Sequence, residues 1–159
     1  MTRKTTRNLL ATAAAASLLV VTACGRGEEA AQSAIADTVT THGAVEVDWE
    51  TDFPAALERA RAEGKPVLVN FYAEWCVWCK RLESTTLRDN DVKTVLRNQV
   101  IAVSLDVDGN GRELSNQYGV DGLPTILVLD GNGREIGRIA GYMPPTGFLE
   151  RVEAFLQKS

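Results

Sequence analysis

Cys76 and Cys79 stand two residues apart in the segment AEWCVWCK, residues 73–80, with Trp75 before the pair and Lys80 after it. Two thiols at that spacing can hold a metal, staple a loop or exchange electrons. A structural zinc site needs four ligands, usually two such pairs or one pair with histidines. The chain has only one other cysteine, Cys24, and one histidine, His42. A site within one chain therefore lacks ligands, and a metal shared across a dimer is the arrangement the count leaves open. A staple closing so short a loop removes little entropy from the unfolded chain. Redox chemistry is the reading that uses both thiols. The pair directly follows an apolar run and opens a helix, which puts the first thiol at a helix N-terminus. Exposed N–H groups and the helix dipole favour a thiolate there. The second thiol falls one turn inward and less exposed.

The elements that would position this pair can be read from periodicity and punctuation. DFPAALERARAEGKP is expected as a helix, with Asp52 as cap, Pro54 in the first turn and Gly64 and Pro66 ending it. Phe53, Ala56, Leu57 and Ala60 share one face of it. PVLVNFYA is almost continuously apolar and reads as a central strand buried on both faces. The helix opened by the cysteines carries Leu82 and Leu87, and a second short helix covers Asp91 to Asn98. VIAVSLDV is another strand, and GRELSNQYGV a short helix closed by Gly119. TILVLD and REIGRIA are strands joined by Gly–Asn–Gly, the chemistry of a tight hairpin. PTGFLERVEAFLQKS closes the chain as a helix, with Phe148, Leu149, Val152, Phe155 and Leu156 facing the core. The expected order is β-α-β-α-β-α-β-β-α, an α/β domain with a mixed central sheet and helices on both faces.

The first forty-odd residues have a different character. Arg3, Lys4 and Arg7 form a basic flank, and Leu9 to Val21 is an apolar stretch of signal-peptide length. Thr22 and Ala23 place small residues before Cys24, which resembles the lipobox of bacterial lipoproteins. Residues 1–23 are then a lipoprotein signal peptide, and Cys24 is the acylated first residue. Residues 24–44 are polar and alanine-rich and read as a flexible tether, with a reach of roughly 25 Å. His42 lies within it as a solvated linker residue. Residues 45–159 form the globular domain. Export places the cysteine pair outside the cytosol, where disulfides form and persist.

VLVNFYAEWCVWCK, followed some forty residues later by GLPTILVLD, resembles the thioredoxin fold. The resemblance is strongest to the C-terminal periplasmic domain of the membrane disulfide reductase DsbD and its stand-alone relatives. It implies that Pro124 is cis and sits opposite the disulfide, and that the Leu123 backbone pairs with an extended substrate segment. It implies that Trp75 packs beside the pair, and that Gly141 and Tyr142 of IAGYM flank the peptide groove. Three departures stand out. Val77 and Trp78 replace the Gly–Pro of soluble thioredoxins. Asn70 replaces a buried aspartate. DsbD's membrane domain has no counterpart in this sequence, so a separate membrane electron donor is expected. Glu83 lies four residues after Cys79, with Leu87 four further on, so the three form one helical row. DsbD-type domains carry an acid at that offset, which makes Glu83 the expected acid–base partner of Cys79. The alternative is a solvated helix residue.

Asp106 to Gln117, DVDGNGRELSNQ, nearly fits a calcium loop. Its last ligand is the neutral Gln117, Glu113 occupies a normally apolar position, and a strand precedes it, so a capped strand-to-helix loop is expected instead. With 159 residues, 45% of them apolar, and a net charge of −4, one domain with a real core is affordable and no basic stripe exists for nucleic acid. The expected function is a membrane-anchored thiol:disulfide oxidoreductase, a monomer with no cofactor or metal, reducing disulfide-bonded exported proteins from the cell envelope. In a Gram-negative cell that compartment is the periplasm. The alternatives are an oxidase or isomerase, or a non-catalytic binding module built on the same groove. If the lipobox reading holds, the protein partitions with membranes on fractionation, and Cys24→Ala leaves an unprocessed or soluble species. Identical processing and equal membrane partitioning in the mutant would overturn it.

Overall fold

The computed structural model describes residues 45–158; the expected signal segment, Cys24, the expected tether and His42 lie outside the described residues. Helix α1 (Phe53–Glu63) starts where Asp52 Oδ1 accepts from the Ala55 N–H at 3.0 Å, and it stops at Gly64, whose φ of +64° only glycine adopts freely. Strand β1 (Val67–Tyr72) follows. It leads into α2 (Val77–Ser84), a 3-10 turn (Thr86–Arg88) and α3 (Asn90–Gln99). Then come β2 (Ile101–Asp106), α4 (Arg112–Gln117), β3 (Thr125–Leu129), β4 (Glu135–Ala140) and α5 (Pro145–Leu156).

The sheet has the order β2-β1-β3-β4, with β1 parallel to β2 and antiparallel to β3, and β3 antiparallel to β4. Strand alternation divides the core into two layers. Val67, Val69 and Phe71, with Ile101, Val103, Leu105, Leu127 and Leu129, pack against Ala56 and Ala60 of α1. Leu68, Ala102, Ile126, Val128 and Ile139 pack against Leu82, Val92, Leu96, Phe148, Val152 and Phe155. Asn70 belongs by alternation to this second face, the side of α2 and α3.

Two expectations need correction. The leading strand is reduced to an isolated bridge at Glu50, which pairs with Val103 of β2. Val47 and Trp49 spend their side chains on the core instead. The cysteine helix does not run on to Leu87, so Cys79, Glu83 and Leu87 are not one helical row. Ser84, Thr85 and Thr86 interrupt it: the Ser84 and Thr85 hydroxyls both donate to the Arg81 carbonyl, at 3.2 and 2.7 Å. Thr86 Oγ1 turns away and donates to the Met143 carbonyl at 2.6 Å.

Helix α5 approaches β4 at Gly137, where an added Cβ would run into the ring of Phe155. Gly137→Ala is expected to destabilise the domain by about 1–3 kcal/mol through overpacking. Denaturant unfolding measures this, and an unchanged midpoint would show that the helix can move aside without cost.

Candidate active site

The centre of the site is set by where β1 ends. Tyr72 is its last residue, and the chain turns at once, the Cys76 N–H donating to the Ala73 carbonyl at 3.0 Å. Cys76 is thereby the N-cap of α2, and its Sγ accepts from the Cys79 N–H at 3.1 Å. The two cysteines form a disulfide with Cα atoms 5.2 Å apart. Both are buried, Cys76 at 5% exposure and Cys79 at 1%, so the expected order of exposure holds by a narrow margin. With Ala73 they form a small apolar cluster, packed by Tyr72, Val107 and Leu123. The Leu123–Pro124 peptide is cis and Pro124 is buried. The Pro124 carbonyl accepts from the Gly141 N–H at 2.8 Å, so the proline loop and the loop after β4 are joined directly.

Around the buried sulfurs the surface is apolar and exposed: Trp75, Val77 and Trp78 show 68%, 76% and 52% of their surface. Clustered large side chains at such exposure mark a contact surface rather than a core edge. Trp75 is held by its indole N–H, which donates to Asp108 Oδ2 at 2.7 Å. On the other side the Trp78 and Tyr142 rings lie 5.8 Å apart, with the Arg81 guanidinium 5.4 Å from one centroid and 4.8 Å from the other. Thr85, and after it Arg81, hold the Tyr142 phenol below its ordinary pKa.

Besides Glu83, sequence reasoning named Trp75, Cys76, Cys79, Leu123, Pro124, Gly141 and Tyr142. Those seven come from the β1–α2 junction, the entry to β3 and the exit from β4. Asp108, Val77, Trp78 and Arg81 were missed as site residues. Asp108 had a signal, for it lies in the calcium-like loop. There Asp106 Oδ1 accepts from the Asp108 N–H and Asn110 Oδ1 from the Asp106 N–H, while the Asp108 carboxylate is taken by Trp75. Among the described residues no group of three or more His, Cys, Asp or Glu is arranged to hold a metal.

Behind the disulfide helix, on the face of Asn70, lies a cavity of about 520 Å³ lined by Trp49, Asn70, Tyr72, Glu83, Leu87 and Ser104 among others. Asn70 Nδ2 donates to Ser104 Oγ at 3.3 Å, while its buried Oδ1 has no partner among the described residues. Glu83 keeps an exposed side chain overall but lines this cavity, one turn along α2 from Cys79. Burial raises its pKa, the Glu74 carboxylate adds to the rise, and Lys80 opposes it.

A disulfide closing the first turn of a helix that leaves a central strand, beside a cis-prolyl loop, defines a thioredoxin fold with a redox-type cysteine pair. The chain belongs to the thioredoxin-like domain family, whose profile matches residues 53–156. It is homologous to the thiol:disulfide interchange protein DsbD. The Yersinia enterocolitica protein is 41% identical over 99 residues, 59% of this chain and 17% of that one. The Pseudomonas fluorescens protein is 36% identical over 152 residues, 87% of this chain and 26% of that one. The chain thus spans a quarter or less of those relatives' length, to within a percentage point. Among solved structures, the oxidised DsbD c-terminal domain of Neisseria meningitidis superposes with a TM-score of 0.57 at 28% identity, covering 67% of this chain and 98% of that one. A thioredoxin from Thermus thermophilus gives 0.62 at 32%, covering 68% and 85%. Among the described residues no helix is long and apolar enough to cross a membrane.

A raised pKa means that folded Glu83 holds its proton more tightly than an unfolded glutamate does. Its charge therefore costs stability once pH rises past the range where an unfolded glutamate ionises, and the cost is absent well below it. Glu83→Gln should raise the thermal midpoint at about pH 7.5, with the gain shrinking toward about pH 4. An equal gain across the range would point to packing instead of charge.

Proposed function

We propose that the chain is a lipid-anchored thiol:disulfide oxidoreductase of the cell envelope, working as a reductase of disulfide-bonded exported proteins. The observation that carries it is the Cys76–Cys79 disulfide at the N-cap of α2, ringed by exposed Trp75, Val77 and Trp78. In the reduced protein the Cys76 thiolate attacks one sulfur of the target disulfide. A Cys76–target bond forms, the target's own bond breaks, and its other sulfur leaves as a thiolate. Cys79 loses its proton and attacks Cys76 Sγ, which forms the Cys76–Cys79 bond and expels the second target thiolate. Two electrons pass from the dithiol to the target. A separate membrane electron donor then restores the dithiol. Electrophilic N–H groups at the start of α2 stabilise the Cys76 thiolate both as attacker and as leaving group.

The other roles follow from placement. Leu123, beside cis Pro124, offers backbone groups to an extended target segment next to the sulfurs, with Trp75, Gly141 and Tyr142 as the walls of the groove. Glu83 takes the proton of Cys79. Its raised pKa makes it a stronger proton acceptor than an ordinary glutamate, and Asn70, at the position of the family's aspartate, cannot titrate. The resemblance to the DsbD disulfide reductase supports the reducing direction, and the signal-like segment ending at Cys24 supports the anchor.

Cys79→Ser should accumulate mixed disulfides with target proteins and Cys76→Ser should not. Glu83→Gln should slow resolution of a preformed Cys76 mixed disulfide while leaving alkylation of Cys76 unchanged. A reduction potential near about −270 mV agrees with a reductase, whereas one near about −120 mV would make the protein an oxidant. Failure of the reduced protein to cleave insulin disulfides, with no adduct trapped by either mutant, would leave a non-catalytic binding module.

A further inference from the structure

Arg81 lies on α2 two residues past Cys79, with its guanidinium against both Trp78, the second of the two residues between the cysteines, and Tyr142. Neither ring neutralises its charge. The ion pairs of the domain involve Arg59, Lys65, Lys93, Arg134 and Arg138; among the described residues Arg81 has no carboxylate within pairing distance. It is thus an exposed cation, braced by two rings, at the margin of an otherwise apolar contact face. A braced arginine has already lost much of the side-chain freedom that pairing would otherwise cost. Its planar fork of donors suits a carboxylate, and among ordinary protein side chains only Asp and Glu present one. On the Trp75 side the Asp108 carboxylate is engaged by the indole N–H, so it does not compete for Arg81.

We infer that Arg81 makes the dithiol face selective for protein disulfides flanked by an acidic residue, whose carboxylate pairs with the guanidinium beside Trp78 and Tyr142. This rests on the thiol:disulfide exchange reading and adds the chemistry of the preferred partner to it. The test uses the pre-reduced full chain in single turnover, so that its own dithiol supplies both electrons. Three disulfide-linked peptides identical except for Glu, Gln or Lys next to the half-cystine serve as substrates. At low ionic strength the second-order rate should fall in the order Glu, Gln, Lys, with roughly fivefold between the first two, the upper range for an exposed pair. The spread should narrow as salt is added. Arg81→Lys should keep the order, Arg81→Gln should bring the Glu-to-Gln ratio near one, and Arg81→Glu should reverse the order. Equal rates for the three peptides, or the native order persisting in Arg81→Glu, would overturn the inference while leaving the exchange chemistry standing. Failure to react with any of the three would instead remove the exchange reading, and the inference with it.

Discussion

Everything at the site depends on β1 being hydrogen-bonded on both sides. Its register runs from Val67 to Tyr72 along β2 and from Val67 to Phe71 along β3, so its end cannot shift along the sheet without breaking both ladders. A one-residue slip would also move Val67, Val69 and Phe71 out of one core layer and into the other. The turn at Ala73 and the N-cap at Cys76 inherit that fixed position. The sulfur chemistry therefore rests on a strand, with none of its geometry left to a mobile loop. The cost falls on Asn70, a polar residue that the same register places in the interior with one oxygen unpartnered among the described residues.

The rest of the contact face is brought to that fixed point by single hydrogen bonds between distant segments. Pro124 to Gly141 joins the β3 entry to the β4 exit, and Thr86 to Met143 ties the same exit to the turn after α2. Thr86 is fully buried, so its bond is made away from competing water. The interruption of α2 at Thr85 thus shapes this face. It frees Thr86 to reach Met143, and it leaves Thr85 beside the Tyr142 hydroxyl. An uninterrupted helix to Leu87 would direct these hydroxyls along its own axis.

How far these features could be read in the sequence depended on how local their causes are. Helix α1, strand β1 and helix α5 were legible because a capping aspartate, a continuous apolar run and a 3.6-residue apolar stripe are written within each segment. The strand expected ahead of α1, to which no residues were assigned, is only a bridge at Glu50, because pairing there depends on the edge of β2, distant in sequence. Only Glu50 meets that edge. The break after Ser84 was written as Ser–Thr–Thr, but hydroxyls tolerate a helix until a tertiary acceptor such as Met143 draws one away. The cysteines and Pro124 were legible through their motifs. The Trp78–Arg81–Tyr142 cluster was not, since Tyr142 comes within reach of α2 only after the sheet has folded.

The bridge at Glu50 has a consequence beyond the fold. Its N–H donates to the Ala102 carbonyl and its carbonyl accepts from the Ser104 N–H, both at 2.9 Å, on the outer rim of β2. Arg59 anchors the same residue through its carboxylate at 2.6 Å. Those backbone groups would otherwise form a template for another chain's strand to extend the sheet. One residue, stapled in the middle of β2, interrupts that template where an incoming strand would need an unbroken row of donors and acceptors. The margin is thereby guarded against fibre-like stacking of neighbouring copies, a hazard that grows wherever many copies share a small volume.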